Sequence, residues 1–439
     1  MTHQDVEILG VGAGPANLAL AVALEELAPD LAARTLLVEQ SAGTVWQRGL
    51  LIPWAQSQVS FLKDLATLRN PCSRFTFVNY LHQTGRLDAF MSLGTFTPYR
   101  SEISDYLRWV AEELAQVRIH YNRRAVEVRP VRDAAGRLTH WEAGFADGAT
   151  ARARHLVLGT GRDPRIPEVF RGLPADRVVH SSEYSEQIAA LPGDAPRRIA
   201  VIGGAQSALE MVQAVREDLP GCEPVLVVRG IGLTPYVSSK FTSRFYSVDA
   251  SREFYEMDAA ARELVLEEMA RSNYAGVTPE LLDGLYHQMY RDRLAGKDAL
   301  RILTATEVVA AAHTDGTVVL TLRDRLTGEL SELACDRVLL GTGYEPRMPA
   351  AVRRLQAALG LAELEVSRNY RVRTAEADIG RLYLQGVNEA THGIADSLLS
   401  TMASRAGDIV ADLLPQAERP RPAGEGARAT PWTSHDCAR

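Results

Sequence analysis

A strand, a glycine-rich turn and a helix open the chain, and the same succession returns near its middle. Val6 to Gly10 reads as a buried strand and Gly10-Val11-Gly12-Ala13-Gly14-Pro15 as a tight turn. The apolar run Leu18, Leu20, Ala21, Val22 and Leu24 to Leu27 has helical spacing, and a second strand follows at Thr35 to Glu39. This is a βαβ unit. The second copy runs through a strand at Arg198 to Gly203, a turn at Gly204 to Ser207, a helix at Ala208 to Val215 and a strand at Val225 to Arg229. Two such units imply an α/β fold with two Rossmann-like dinucleotide-binding domains.

The two turns differ in what they can hold. In the first, Gly10, Gly12 and Gly14 let the strand turn sharply and bring backbone N–H groups against a pyrophosphate at a helix N-terminus, with Pro15 at the third fingerprint position. Glu39 ends the next strand, where a carboxylate accepts from ribose hydroxyls and repels a 2′-phosphate, so FAD or NAD fits better than NADP, and FAD is expected here. In the second, Gly203, Gly204, Ala205, Gln206 and Ser207 match the fingerprint except for the Cβ of Ala205, which crowds the pyrophosphate. Arg229 occupies the place that Glu39 holds in the first unit; a guanidinium suits a 2′-phosphate and assigns NADPH. A solvated surface arginine is the plainer reading. The strand-like runs His155 to Gly161 and Arg337 to Gly343 each end in Gly-Thr-Gly and read as crossings between domains. The expected division is an FAD-binding domain over 1–190, an NADPH-binding domain over 191–340 with a small helical substrate-binding insertion at about 241–300, and an FAD-domain return over 341–414. A disordered tail is expected over 415–439, where the sequence turns rich in Pro, Arg, Gly and Ser.

Composition removes other classes. A formal charge of -7 offers no basic field for nucleic acid. No stretch approaches the length of a membrane span and Met1 to Glu7 carries no leader pattern, so a cytoplasmic enzyme with no membrane partner is expected. Cys72, Cys222, Cys335 and Cys437 form no CxxC pair, which argues for free thiols and against a metal site, a disulfide scaffold or a disulfide reductase.

Three segments carry a family resemblance: Gln58-Val59-Ser60-Phe61-Leu62-Lys63-Asp64-Leu65-Ala66-Thr67, Phe75-Thr76-Phe77-Val78-Asn79-Tyr80-Leu81, and Thr391-His392-Gly393-Ile394-Ala395-Asp396-Ser397-Leu398-Leu399-Ser400. Together they resemble the microbial L-ornithine/L-lysine N-monooxygenases of hydroxamate siderophore biosynthesis, from about Val6 to Ile409. The resemblance implies an NADPH-reduced FAD whose C4a-hydroperoxide passes one oxygen atom to an uncharged side-chain amine, with L-ornithine as the substrate, O2 as co-substrate and a homodimer or homotetramer as the assembly. It also implies FAD contacts at Trp46, Gln47 (a histidine in other members), Gln58, Val126, Ser397, Leu398 and Leu399. Lys63 corresponds to the residue gripping the substrate carboxylate, Asn273 to one meeting both nicotinamide ribose and substrate, and Ser400 to a serine near the amine; Gln58 also falls near the substrate.

One substrate-pocket asparagine of ornithine enzymes falls on Ser243, followed by Arg244. The shorter side chain leaves L-lysine, putrescine and cadaverine open as substrates. A Baeyer–Villiger or sulfur-oxidising monooxygenase shares both cofactors, and a non-catalytic nucleotide-binding flavoprotein would accommodate Ala205 and Pro15. No protein base is required, since the flavin carries the difficult step. Three local alternatives complete the reading: Lys63 paired with Asp64, His180 as a structural residue, and His392 as either a packing group or a neighbour of the flavin.

Overall fold

A computed structural model describes residues 3–191, 196–237, 239–273, 276–297 and 300–415. Cys437 and the expected tail, apart from Pro415, lie outside the described residues, as does Tyr274 beside Asn273.

Two parallel sheets form the frame. In the first, the strand order is Arg118–His120, Thr35–Val38, His3–Val11, Thr150–Leu158, with Arg381–Leu384 also parallel to Thr150–Leu158. An antiparallel meander, Ala125–Arg132 and Leu138–Phe145, continues from the same Thr150–Leu158 strand. The second sheet is all parallel, in the order Arg301–Leu303, Glu223–Val227, Arg198–Ile202, Arg337–Leu340, Val178–His180. A separate meander, Thr306–Thr314, Thr317–Asp324 and Leu330–Cys335, accompanies it. Val178–His180, which falls within the first expected span, is the edge strand of the second sheet. Three residues are too few to display a strand period.

The helix Pro15–Leu27 buries every side chain from Ala16 to Leu24. Leu18, Leu20 and Leu24 each contribute roughly 1.5–3 kcal/mol by leaving water. Its apolar surround belongs between sheet and helices, and the C-terminal helix Met402–Leu413 packs on it in the same core. Pro15 stands at the first helical position, where its missing N–H would have had no intrahelical partner, so it is no defect of the fingerprint.

The crossings pair with each other. Gly159 N donates to Val11 O (3.0 Å) and Gly341 N to Ile202 O (2.9 Å), equivalent bonds in the two units. Beyond them Arg165 N donates to Gly343 O (3.0 Å) and Glu345 N to Asp163 O (2.8 Å). His180 rests on this double crossing, its Nε2 2.8 Å from Gly343 O and its Nδ1 3.0 Å from Ser182 Oγ. Burial holds its imidazole below the usual histidine range.

The insertion contributes the helices Val248–Glu256, Ala259–Asn273 and Pro279–Leu294. It docks against the chain's return. Phe254 lies under Gly393, where an added Cβ would stand 3.3 Å from the ring. His392 stacks on Tyr370 (4.2 Å between centroids) with Tyr255 on its other flank (5.2 Å), and Arg252 pairs with Asp408 (3.6 Å). His392 is thus the post on which the insertion sits.

Candidate active site

The first glycine turn is open where a pyrophosphate belongs. Gly12 has φ +91°, and an added Cβ would lie 2.7 Å from Gly159 O, so only glycine fits. A Cβ at Gly14 would meet nothing within 4 Å, which leaves the mouth of the turn clear. Glu39 accepts from Ala13 N and Ser41 N (2.9 Å each), which fixes its carboxylate across the turn. Gly10 is packed by Leu37 and Asn17. These residues fit a dinucleotide with free ribose hydroxyls. Val126 lies at a bulge of the strand Ala125–Arg132, exposed, on the segment whose Arg123 N donates to Glu39 O. Trp46 packs against the core with its N–H donated to Ser104 Oγ (3.1 Å), Gln47 is exposed in the left-handed region (φ 49°), and Gln58 is exposed.

A buried polar chain ties this turn to the closing motif. Asn17 Nδ2 donates to Gly12 O (2.7 Å) and Val11 O (3.1 Å), and its Oδ1 accepts from Gln385 Nε2 (2.8 Å). Gln385 Oε1 accepts from Arg405 Nε (3.2 Å), and Arg405 Nη1 donates to Asp396 Oδ1 (2.9 Å) and Asp396 O (2.6 Å). Asp396 Oδ2 accepts from Asn388 N (2.7 Å). The Arg405–Asp396 pair is fully buried, and it fixes the stretch carrying Ser397, Leu398 and Leu399. Sequence reasoning missed it; the signal was an acid and an arginine in an otherwise apolar, small-residue stretch.

In the second unit Gly203 has φ +146°, and an added Cβ would approach Gly341 O to 2.5 Å. Ala205 caps the helix Gln206–Asp218, and Ala208 packs against Gly341. Gln206 is engaged on both sides, donating to Glu210 Oε1 (2.9 Å) and accepting from Thr278 N (2.9 Å). Glu210 in turn takes a buried two-pronged bond from Arg100 of the first domain (2.7 and 2.9 Å), a cross-domain tie that the sequence did not disclose. Ser207 is partly buried in the first turn of that helix, and Arg229 is exposed just past the strand Glu223–Val227.

Lys63 and Ser400 meet across the whole chain: Lys63 Nζ donates to Ser400 Oγ (3.3 Å). Burial pulls the Lys63 ammonium below its usual range. The alternative pairing with Asp64 does not occur, because the Asp64 carboxylate accepts from Ala66 N, Thr67 N, Thr67 Oγ1 and Phe77 N. Among the described residues no carboxylate forms an ion pair with Lys63, so the ammonium is available to an incoming anion. Asn273 ends its helix with a buried Nδ2 that has no hydrogen-bond partner among the described residues. Ser243 departs from expectation: it is exposed and its hydroxyl donates to Ser239 O (2.8 Å) in its own turn, with no contact to the Lys63–Ser400 pair. Arg244 lies over Phe245 and pairs loosely with Glu253.

Two dinucleotide cradles on one frame, with a half-buried ammonium and an open buried amide beside the return motif, define a two-dinucleotide oxidoreductase. The chain belongs to the L-lysine 6-monooxygenase/L-ornithine 5-monooxygenase family, whose model matches residues 4–346. It is 37% identical to the L-ornithine N(5)-monooxygenase of Pseudomonas aeruginosa over 419 residues, 93% of each chain. The solved ornithine hydroxylase from Pseudomonas aeruginosa superposes with a TM-score of 0.86 at 36% identity, covering 93% of this chain and 98% of that one. The ornithine N-hydroxylase of Kutzneria sp. 744, solved with reduced FAD, NADP+ and L-ornithine, gives 0.85 at 33% identity, covering 93% and 99%. Among the described residues no helix is long and apolar enough to cross a membrane, and no group of three or more His, Cys, Asp or Glu is placed to hold a metal ion.

Proposed function

We propose that this chain is an FAD- and NADPH-dependent monooxygenase that converts L-ornithine to N5-hydroxy-L-ornithine, feeding hydroxamate synthesis. The balance is one amine, O2, NADPH and a proton giving one hydroxylamine, NADP+ and water. FAD, when bound at Gly10–Pro15, Glu39, Trp46, Gln47, Gln58, Val126 and Ser397–Leu399, supplies the oxygen-activating chemistry. NADPH is held by Gly204, Ala205, Gln206, Ser207, Arg229 and Asn273.

The observation that carries the substrate class is Lys63, a partly desolvated cation beside Ser400 with no ion-paired carboxylate among the described residues. It takes the substrate carboxylate and so fixes the other end of the molecule at the reacting centre. Asn273, with its buried Nδ2 unpartnered among the described residues, would meet the substrate and the nicotinamide ribose. The surrounding burial favours the neutral amine, the form whose lone pair accepts oxygen, without a dedicated base. Gln58 is the further residue assigned to the pocket, whereas the Ser243 hydroxyl is engaged in its own turn. Ser243, shorter than asparagine and turned to its own helical turn, favours L-lysine as the second substrate to test. The enzyme works as a cytoplasmic homo-oligomer.

The test is hydroxylamine formation by mass with L-ornithine, L-lysine, putrescine and cadaverine side by side, in FAD-loaded enzyme with NADPH. The expected result is a product one oxygen atom heavier from L-ornithine ahead of all others. Preferred turnover of a diamine overturns the carboxylate reading, and no hydroxylated amine overturns the function.

A further inference from the structure

The loop that carries Arg229 is knotted to the meander beside it. Val228 N donates to Leu303 O (2.9 Å), Thr306 N to Val228 O (3.0 Å) and Ala305 N to Gly230 O (2.6 Å). Ala305 takes φ +49° to make this approach, and Arg325 N donates back to Ala305 O (2.7 Å). The side chain of Arg325 then crosses to the loop itself, its Nη1 donating to Arg229 O (2.6 Å). An exposed arginine from the turn between Thr317–Asp324 and Leu330–Cys335 thus stands directly behind Arg229.

The charges around this knot are unbalanced. Glu307 accepts from Arg323 Nε (2.8 Å) and Nη2, and its carboxylate is held low by that bond and by the fields of Arg323, Arg325 and Arg229. Arg323, Arg325 and Arg229 all act on Glu307, and Asp324 is the second carboxylate of this turn, so three guanidinium groups stand against two acids on a chain whose formal charge is -7. A phosphate monoester, carrying about -1.5 to -2 at neutral pH, is attracted to a cluster left net positive in this way. Arg325 spends one of its N–H groups on Arg229 O, and a guanidinium has four more.

We infer that Arg325 is a second ligand of the 2′-phosphate of NADPH and a determinant of NADPH over NADH, with Glu307 as the carboxylate that tempers the cluster. The inference rests on the placement of NADPH in the second βαβ unit. Arg325 acts twice: it braces the backbone from which Arg229 projects, and it presents its own fork to the phosphate from a different sheet.

The experiment measures equilibrium binding of NADP+ and of NAD+ to the FAD-loaded protein, wild type against Arg325→Ala, Arg229→Ala and Glu307→Gln. Arg325→Ala is expected to weaken NADP+ by about tenfold or more, the size of one charge-assisted contact, and to leave NAD+ within about twofold. Glu307→Gln is expected to tighten NADP+ and leave NAD+ unchanged. Equal loss of both dinucleotides in Arg325→Ala reduces the residue to a loop brace and overturns the inference, as does no change in either. If Arg229→Ala also leaves the NADP+ to NAD+ ratio unaltered, the placement of NADPH fails as well, which separates the two claims.

Discussion

Replacing Arg405 by methionine is expected to lower the melting temperature by several degrees and to release FAD. The guanidinium is fully buried and donates to Asp396 Oδ1 (2.9 Å), Asp396 O (2.6 Å) and Gln385 Oε1 (3.2 Å). Methionine fills much of the volume but leaves the Asp396 carboxylate with Asn388 N as its remaining donor in this network. Breaking one side of a buried ion pair costs about 3–5 kcal/mol, since the other charge remains in low dielectric. Unfolding entropy near roughly 2.1 cal/mol/K per residue gives about 0.9 kcal/mol/K for 439 residues, so the drop should be about 3–6 °C. Thermal unfolding followed by the fluorescence of released flavin reads both effects together. Adding Asp396→Leu to Arg405→Met removes the stranded charge and should recover most of the loss. A drop under about 1 °C, or a double variant worse than the sum of its single variants, would refute the view that this pair holds the return motif onto the first turn.

Gly12→Ala places a Cβ 2.7 Å from Gly159 O at a left-handed position, so the purified variant should carry little flavin by visible absorbance; full occupancy would contradict the cradle. Asn273→Ala removes a buried amide that has no hydrogen-bond partner among the described residues, so the unfolding free energy should shift by less than about 0.5 kcal/mol while the KM for L-ornithine rises; a large stability loss would show the amide was already engaged. Acid should destabilise the first domain through His155, buried among Arg381, Arg154 and Arg371 and lowered to about 3 by desolvation first. The unfolded imidazole binds its proton near 6.5 and the folded one does not, so stability is intact above pH 6.5. It falls as pH drops towards 3, at up to about 1.4 kcal/mol per unit. His155→Gln should flatten that slope, and an unchanged slope would move the acid sensitivity elsewhere.

Both glycine turns were legible because they are local: a strand, a turn and a helix. What joins distant parts of the chain was not. Asn17 and Gln385 are 368 positions apart, and nothing in either neighbourhood marks them as partners. Lys63 and Ser400 were each singled out through resemblance, but their contact was not, and the fate of Asp64 was hidden because its four donors are mostly backbone N–H groups. Val178–His180 escaped notice because so short an edge strand shows no alternation. The docking of the insertion on His392 depends on rings from two other segments, Tyr255 and Tyr370. Ser243 shows the converse: a position carried over from a family asparagine lies in a turn where its hydroxyl is satisfied by the backbone.

The most direct test of the central claim is the KM of Lys63→Met for L-ornithine set against its KM for putrescine, with hydroxylated product scored by mass. If Lys63 grips the carboxylate, losing one charged hydrogen bond of about 1.5–3 kcal/mol raises the L-ornithine KM by roughly ten- to a hundredfold and leaves the diamine unaffected or improved. An equal effect on both amines, or an unchanged L-ornithine KM, would contradict a carboxylate-bearing amine as the substrate.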